Sequence, residues 1–467
     1  MRARNVVSAA ILFAAMSSGC MVGPNYKRPA AAEPSLFRGV PSDQAVTPDV
    51  VSFGDQKWWD VFQDDALRAL IQSALQQNYD VRIAAARILQ ARALLGIARA
   101  DQLPEVNASA SVFNDRQPAA AGRPAVETSP VQLGLSASWE LDFWGRFRRA
   151  TESARASVLS EEWAQRQVIS SLVSDLATAY FQLREQDLEL EISRQTLASR
   201  RDSLRLTQVL ADGGATSLLD VRQAEQLVFG ASATIPDLES RIEQQENFIS
   251  ILVGRNPDGV VRGRPLVDQQ QPPEVPPGLP SSLLERRPDI LEAEQQLVAA
   301  NAQIGVAKAD FFPRISLTAI GGYQSSALAR LFTGPAGLWT FGASALQPVF
   351  EGGRIRNNVA FAEARTEEAT LVYQRTVQQA FRDVSDALVS YRKSREVRVE
   401  QQQLTTAAED ATRLSNMRYR GGAASYLEVL DSDTRFFDAQ LALAQAQLRE
   451  LQSLVQIYRS LGGGWQP

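Results

Sequence analysis

The sequence predicts a mainly α-helical chain with a small membrane-type β part, assembled from two copies of one unit. Three observations lead to this fold class. Segments far apart in the chain repeat in the same order, and two long stretches (131–235 and 349–466) contain no proline. Four short segments also alternate apolar with small or polar side chains.

Composition excludes several classes of function. The 467 residues, 45% of them hydrophobic, are enough to bury a sizeable core, and a formal net charge of -5 gives no reason to expect a nucleic acid partner. The chain has no histidine, which excludes most catalytic triads and most zinc and haem sites. We expect no cofactor and no metal, although an enzyme that uses only carboxylates stays open.

The N-terminus has the pattern of a secretory signal peptide over residues 1–19. Two arginines precede an apolar stretch that is too short to span a bilayer. The only cysteine, Cys20, follows small residues where a lipoprotein signal would be cut, although Ser17 stands where such signals usually carry leucine. We predict cleavage before Cys20 and its acylation, with 20–62 as a lipidated tether and connecting segment. The alternative is an ordinary signal peptide with an incidental cysteine.

A duplication is the strongest internal signal. Residues 80–106 align without gaps on residues 289–315, and two later matches need a shift of only one residue. The duplication therefore predicts repeat 1 (63–262), a proline-rich connector (263–281) and repeat 2 (282–467), and not three domains.

Each repeat has the same predicted order of a helix, two strands, a very long helix, a Gly-Gly turn and a last helix. The predicted helices cover 64–102, 146–211, 216–253, 282–311, 354–419 and 425–461. Leucines such as Leu176, Leu183 and Leu190 recur at steps of seven, which predicts a narrow coiled-coil seam with polar outer faces. This fits a hollow cylinder of helices or a plain antiparallel coiled coil. Pro236 is expected to kink or break its helix.

The strands are expected in pairs, within 106–142 and within 314–350. Odd positions of 131–139 are apolar while even positions are glycine or polar, and 315–323 alternates similarly. Strands of about ten residues with one apolar face fit a membrane β-barrel. The alternative is the edge of a soluble sandwich. If the strands enter lipid, four of them cannot close a water-filled barrel, so several chains must share one.

Several ordered motifs cover nearly the whole mature chain. They are Trp58-Trp59, Trp139 through Arg146, Arg287-Pro288-Asp289-Ile290, Ile304 through Pro313, Tyr419 through Gly421 with Val429-Leu430-Asp431, and Leu461 through Trp465. Together they resemble the TolC/OprM outer-membrane factor family, in the lipoprotein (NodT-type) branch of resistance-nodulation-division efflux pumps. The resemblance implies a homotrimer with one 12-stranded β-barrel in outer-membrane lipid, four strands per chain, and a long periplasmic barrel of helices. It implies a periplasmic adaptor and an inner-membrane proton-driven transporter as partners.

The resemblance also places a periplasmic gate at the helix tips. By position, its candidate residues are Tyr419, Asp431, Glu428, Asp220, Arg418 and Arg420. The tip turns, where an adaptor would dock, are Gly213-Gly214 and Gly421-Gly422. Ala424 and Thr434 depart from the family pattern, which makes Arg435 a further candidate. The alternative is that these charges are solvated helix ends.

The predicted function is therefore the outer-membrane exit duct of a tripartite drug-efflux pump. Two other ducts stay open, for type I protein secretion and for metal-ion efflux. The lipoprotein signal and Trp58-Trp59 favour drug efflux, and the chain has neither a methionine cluster nor a histidine tract for metals. An alternative of another class is a periplasmic coiled-coil scaffold anchored only by lipid.

Overall fold

A computed structural model of the chain describes residues 21–30, 34, 36–38, 52–119, 122, 124–269, 275–276 and 280–465. The predicted signal peptide, Cys20 and the connector prolines Pro272, Pro273 and Pro277 lie outside these residues. The chain divides into two compact units. We call them the strand unit (the described residues within Met1–Ala30, Arg87–Glu162 and Glu292–Gln374) and the tip unit (those within Ala31–Ala86, Trp163–Leu291 and Arg375–Pro467).

Helices dominate the described residues. In chain order they are α1 (Trp58–Val61), α2 (Asp65–Gln77), α3 (Tyr79–Ala100), α4 (Arg146–Asp212), α5 (Leu218–Val253), α6 (Pro280–Arg286), α7 (Pro288–Ala309), α8 (Arg354–Arg420) and α9 (Tyr426–Ser460). Corresponding helices of the two repeats match closely in length. α4 and α8 have 67 residues each, α3 and α7 have 22 each, and α5 and α9 have 36 and 35.

The first helix of each repeat, predicted as continuous, is divided in two. In repeat 1 the break falls at Asn78, whose side chain accepts hydrogen bonds from the backbone N–H groups of Asp80 (2.7 Å) and Val81 (3.1 Å) and so caps α3. In repeat 2 it falls at Arg287, because the residue before a proline disfavours the helical conformation.

The break expected at Pro236 does not occur. α5 is one helix from Leu218 to Val253 with the proline inside it. A proline removes one backbone hydrogen bond from a helix, but here the nearby Ala231 and Leu238 are both buried. Packing on each side of the proline therefore keeps the helix continuous.

The strand unit contains β1 (Glu105–Val112), β2 (Asp115–Gln117), β3 (Val126–Thr128), β4 (Val131–Leu141), β5 (Arg314–Ser325) and β6 (Gly337–Leu346). Four of them form one antiparallel sheet in the order β1-β4-β5-β6, so the two repeats join through β4 and β5. β2 and β3 form a separate short hairpin, which the sequence pattern did not predict. Within the described chain, β1 and β6 are the sheet edges.

The register of the sheet separates polar from apolar residues. Directly paired residues of antiparallel strands point to the same face. Leu135 pairs with Ala108 and with Gly321, which in turn pairs with Trp339. The face that these residues share is apolar except for Ser325 and two glycines: Val106, Ala108, Ala110, Val112, Val131, Leu133, Leu135, Ala137, Trp139, Leu141, Ile315, Leu317, Ala319, Gly321, Tyr323, Ser325, Gly337, Trp339, Phe341, Ala343 and Ala345. The other face is mainly serine, threonine, asparagine, glutamine and glycine, with Ile320, Leu338 and Leu346 as its large apolar residues.

An N-terminal strap, residues 21–28, lies in the strand unit against α4 and α7. The guanidinium of Arg149, which is 1% exposed, donates to the carbonyls of Val22 and Gly23 (both 3.2 Å) and to the side chain of Asn25 (2.8 Å). Glu294 accepts two hydrogen bonds from Arg28, at 2.7 and 2.6 Å, and one from Tyr26. A Cβ on Gly305 would lie 2.7 Å from the side chain of Arg149, so the strap requires glycine there.

Replacing Arg149 is expected to release the strap. Arg149→Met would leave three strap acceptors without their donor, so the local free energy of opening should fall. We expect trypsin to cut after the exposed Lys27 at least about tenfold faster in the folded variant, which corresponds to about 1.4 kcal/mol. Arg155→Met, at an exposed position on the same helix, is the control. Equal cleavage rates in the wild type and both variants would contradict the proposed attachment.

Two of the buried polar centres of the tip unit lie at Asp64 and Arg287. Asp64 caps α2 and accepts hydrogen bonds from the Tyr180 hydroxyl (3.0 Å) and from the backbone N–H of Arg264 (2.8 Å). Burial alone would raise the pKa of the Asp64 carboxyl, but a hydrogen bond from Gln269 (2.9 Å) together with the bonds from these groups outweighs burial and lowers it. Arg287 binds Asp289 (2.6 Å) and Asp383 (3.2 Å).

None of the helices in the described ranges combines the length and apolarity needed to cross a bilayer.

Candidate functional site

The tip unit ends in two turns of the same geometry, one in each repeat. Gly214 has a φ of +72° and the following N–H of Ala215 donates to the carbonyl of Leu210 at 2.8 Å. Gly422 has a φ of +71° and the N–H of Ala423 donates to the carbonyl of Arg418 at 2.9 Å. Each second glycine supplies the left-handed residue that terminates a long helix and lets the chain reverse. We call α4–α5 hairpin 1 and α8–α9 hairpin 2.

Asp220, at the tip of hairpin 1, is turned towards its own helix end. Its carboxylate accepts hydrogen bonds from the Ser217 N–H (3.1 Å), the Ser217 hydroxyl (3.0 Å) and the Thr216 hydroxyl, and forms a capping box with Ser217. The hydrogen bond from Thr216 is the main cause that lowers the pKa of this carboxyl. The side chain therefore stabilises the start of α5 and forms no bond to hairpin 2.

Three of the candidate charges in hairpin 2 lie at its tip. Arg418 pairs with Glu428 at 3.5 Å, and both side chains are about half exposed. Arg420 is exposed, and no ion pair of this residue occurs among the described residues. The Arg418–Glu428 pair joins α8 to α9 inside one hairpin, and exposed pairs of this kind contribute under about 1 kcal/mol.

Tyr419 packs across hairpin 2 instead of reaching hairpin 1 with its hydroxyl. Its ring lies 5.4 Å from that of Tyr426 in a tilted edge-to-face contact. The Tyr419 hydroxyl is buried and has no hydrogen-bond partner in the described structure.

Asp431 pairs with Arg435 one turn further along the same helix, at 2.9 Å. Both side chains are more than half exposed. The further candidate Arg435 thus neutralises Asp431 along α9 and does not connect two helices.

The residues that do connect the hairpins were missed by the sequence reasoning. Arg200 of α4 binds Asp433 of α9 at 2.8 Å, and these side chains are only 6% and 18% exposed. The side-chain oxygen of Tyr426 lies 3.4 Å from the hydroxyl oxygen of Ser203. A signal was available, because Arg200 lies between Leu197 and Leu204 of the heptad seam, at a position that normally carries an apolar residue.

A pair of buried carboxyl groups lies further along α4, away from the tips. Glu185 and Glu189 are both less than a tenth exposed, and Glu189 accepts a hydrogen bond from Gln445 of α9 at 3.1 Å. Burial, followed by the hydrogen bond and the charge of Glu189, raises the pKa of Glu185 to about 8, against a smaller opposing effect of Arg241. At neutral pH the pair therefore shares a proton.

This pair predicts a specific pH dependence of stability. Because the Glu185 pKa is higher in the folded protein than in the unfolded chain, the folded state holds the extra proton between about pH 4.5 and about 8. The free energy of unfolding should fall as the pH rises through that window. Its slope against pH corresponds to the loss of at most one bound proton per chain. Glu185→Gln should remove this slope, giving the same melting temperature as wild type near pH 4 and a higher one at pH 8. If the melting temperatures of wild type and Glu185→Gln change with pH in the same way from pH 4 to 8, this role of Glu185 is contradicted.

Comparison with known proteins identifies the family. Residues 70–255 and 279–463 match the family model described as outer membrane efflux protein. The chain is 38% identical over 462 residues to the solvent efflux pump outer membrane protein SrpC of Pseudomonas putida, with 96% of each chain covered. It is 32% identical to the cation efflux system protein CusC of Escherichia coli, again with 96% of each covered.

A solved structure agrees with these matches. The outer-membrane channel OprN superimposes with a TM-score of 0.89 at 33% identity, and the match covers 96% of this chain and 100% of that one. The resemblance expected from the motifs is thereby confirmed. The family model spans both repeats and the relatives match over their full lengths, so this chain belongs to the outer membrane efflux protein family.

Proposed function

We propose that this chain forms the outer-membrane exit duct of a tripartite efflux pump, through which small molecules leave the periplasm. One observation carries the proposal, namely the sheet whose register places apolar residues on one face of all four strands and mainly hydroxyl and amide groups on the other. An apolar outer wall with a polar, water-filled interior has this distribution. A soluble scaffold anchored only by acyl chains needs no such sheet.

Closure of the sheet supports a trimer. β1 and β6 are edges within one chain, and an unpaired strand edge is not tolerated in hydrocarbon because its N–H and C=O groups lack partners. If β1 of one copy pairs with β6 of the next, three copies form a closed barrel of 12 strands.

The cargo is best assigned to small organic molecules. The inward face offers mainly neutral hydroxyl and amide groups, such as Asn107, Ser136 and Thr318, and these select little between compounds. Its charged residues, Glu105, Glu140 and Arg314, lie at one end of the strands. Substrate choice would then lie with the inner-membrane transporter. CusC is a cation efflux protein, and a cation duct is the second candidate on that similarity.

The tip turns at Gly213-Gly214 and Gly421-Gly422 are the proposed docking points for a periplasmic adaptor. Exposed apolar side chains beside them, including Val209, Leu218 and Met417, would pack against adaptor helices. Cys20 is proposed as the acylated residue, and the duct itself is proposed to catalyse nothing.

Channel recordings test the proposed function directly. The detergent-purified protein should have the mass of a trimer and should give stepwise ionic currents when added to planar lipid bilayers. A monodisperse monomer that carries no current would contradict the duct. Removing the acyl chains by Cys20→Ser should leave the protein dependent on detergent, whereas a lipid-anchored scaffold would become soluble.

A further inference from the structure

Within the described residues, the predicted gate residues form no polar bond from one hairpin to the other, although the ring of Tyr419 packs against the cluster that contains Ala224 of hairpin 1. Asp220 bonds to its own cap, Asp431 pairs along α9, and Arg418 pairs with Glu428 inside hairpin 2. The Tyr419 hydroxyl has no partner among the described residues. Polar attachment of one hairpin to the other in this chain must therefore come from other residues.

Arg200 provides such an attachment, because its guanidinium joins its own helix, α4, to two others. It extends from α4, donates from Nε to Asp433 of α9 at 2.8 Å, and donates from a terminal nitrogen to the carbonyl of Leu227 of α5 at 3.3 Å. It also lies over the ring of Phe437, 5.1 Å from the centroid. Hairpin 1 is thus bound to α9 near the tip by charge, hydrogen bonds and an aromatic face, in addition to the bond between Gln445 and Glu189 further along α4.

Apolar contacts surround this point on the side nearest the tip. Ala224 of α5 packs with Tyr426 and Val429 of α9 in one buried cluster, to which Leu204 of α4 adds a contact. The Tyr426 hydroxyl lies within hydrogen-bond distance of Ser203. Because these contacts exclude water from the ion pair, its attraction is weakly screened.

Burial also makes the pair difficult to open partially. If α9 slides past α4, both charges lose their partner while still in a low-dielectric region, and a buried charge without a partner is strongly unfavourable. An exposed pair would exchange its partner for water at little cost. The buried pair therefore favours two discrete arrangements of the hairpins, attached and separated.

We propose that Arg200 and Asp433 form a clamp that holds α9 against hairpin 1, and that the tip of the duct widens only when this clamp opens. The clamp rests on the proposed duct function. Both are positioning residues, since they act on the width of the opening and need not touch the cargo. The three copies of the chain in a trimer would carry three such clamps.

Single-channel recording tests the clamp. Arg200→Gln replaces the charge with a shorter neutral side chain, and Asp433→Asn removes the charge without changing the size. Each is expected to raise the conductance at least about twofold by releasing α9. The matched control is the pair Arg194–Glu239, which also joins two helices at 2.7 Å but lies exposed within hairpin 1. Arg194→Gln should leave the conductance at the wild-type value.

Exchanging the charges of Arg200 and Asp433 distinguishes the loss of this ion pair from a general destabilisation of the helices. The double variant R200D/D433R is expected to return at least half-way from the conductance of the single variants to that of wild type. Size-exclusion mass confirms that each variant is a trimer. Wild-type conductance in both single variants, or a double variant no lower than the single ones, would overturn the clamp and leave the duct intact. A wild-type protein that carries no current would remove the duct and the clamp together.

Discussion

Leu135→Arg is expected to abolish assembly in the outer membrane, whereas Ser136→Arg, at the next position, should assemble normally. Leu135 is in the middle of β4, on the apolar face between Ala108 and Gly321. Arginine on the lipid face near the bilayer centre costs about 2–4 kcal/mol per chain. In a trimer the cost recurs three times, so the assembled barrel should be lost.

Ser136→Arg is the control, because this position lies on the opposite face of β4. Ser136 points to the polar face, beside Asn107 and Ile320, where a long cationic side chain would remain in water. Ser136→Arg should therefore assemble and shift the ion selectivity of the channel towards anions. Membrane fractionation followed by gel electrophoresis without heating measures the trimer. Equal trimer yield from the two variants would show that the faces are not separated by lipid.

Arg287→Met should produce the second large effect, a loss of about 3–5 kcal/mol in the stability of the tip unit. The Arg287 guanidinium is buried and binds Asp289 and Asp383, and it donates to the backbone carbonyl of Ser460 at 3.1 Å. Among the described residues, removing it leaves Asp289 without its only arginine partner, Asp383 with the exposed Arg382 alone, and the carbonyl of Ser460 without this donor. Lysine should restore little, because a single ammonium cannot reproduce the fork of bonds.

Arg382 supplies the control for this experiment, since it binds the same Asp383 at 2.7 Å but is exposed. Arg382→Met is expected to leave the melting temperature in detergent unchanged. Thermal melts of the three proteins, monitored by helical circular dichroism, compare the buried arginine with the exposed one. If both variants melt together, the role assigned to Arg287 is wrong.

The sequence was sufficient for the main elements because they depend on local rules. Proline-free stretches with a heptad seam predicted the long helices, and the glycine pairs predicted where α4 and α8 end. Alternation predicted β4 and β5. The division at Asn78 and the continuity through Pro236 were not predicted, because a side-chain cap and packing on neighbouring helices override propensity there.

The site was less predictable, since partners of charged side chains depend on how helices from different repeats are rotated and staggered. Motif similarity placed Tyr419 and Asp431 at the tip but not their partners. Asp433 follows Asp431 by two residues and faces hairpin 1, whereas Asp431 faces solvent. Sequence spacing along one helix does not reveal which of two nearby aspartates meets Arg200.

Disulfide cross-linking of the sheet edges tests most directly whether strands from several chains form one closed wall. Within one chain, two strands separate β1 from β6, which at about 4.8 Å per strand is too far for a disulfide. In a Cys20→Ser background, cysteine at Ala343 of β6 would be combined in turn with cysteine at Ala108, Ala110 or Val112 of β1. We predict that at least one combination gives a covalent trimer on non-reducing gels. Chains that remain monomeric under oxidation in every combination would contradict the shared barrel.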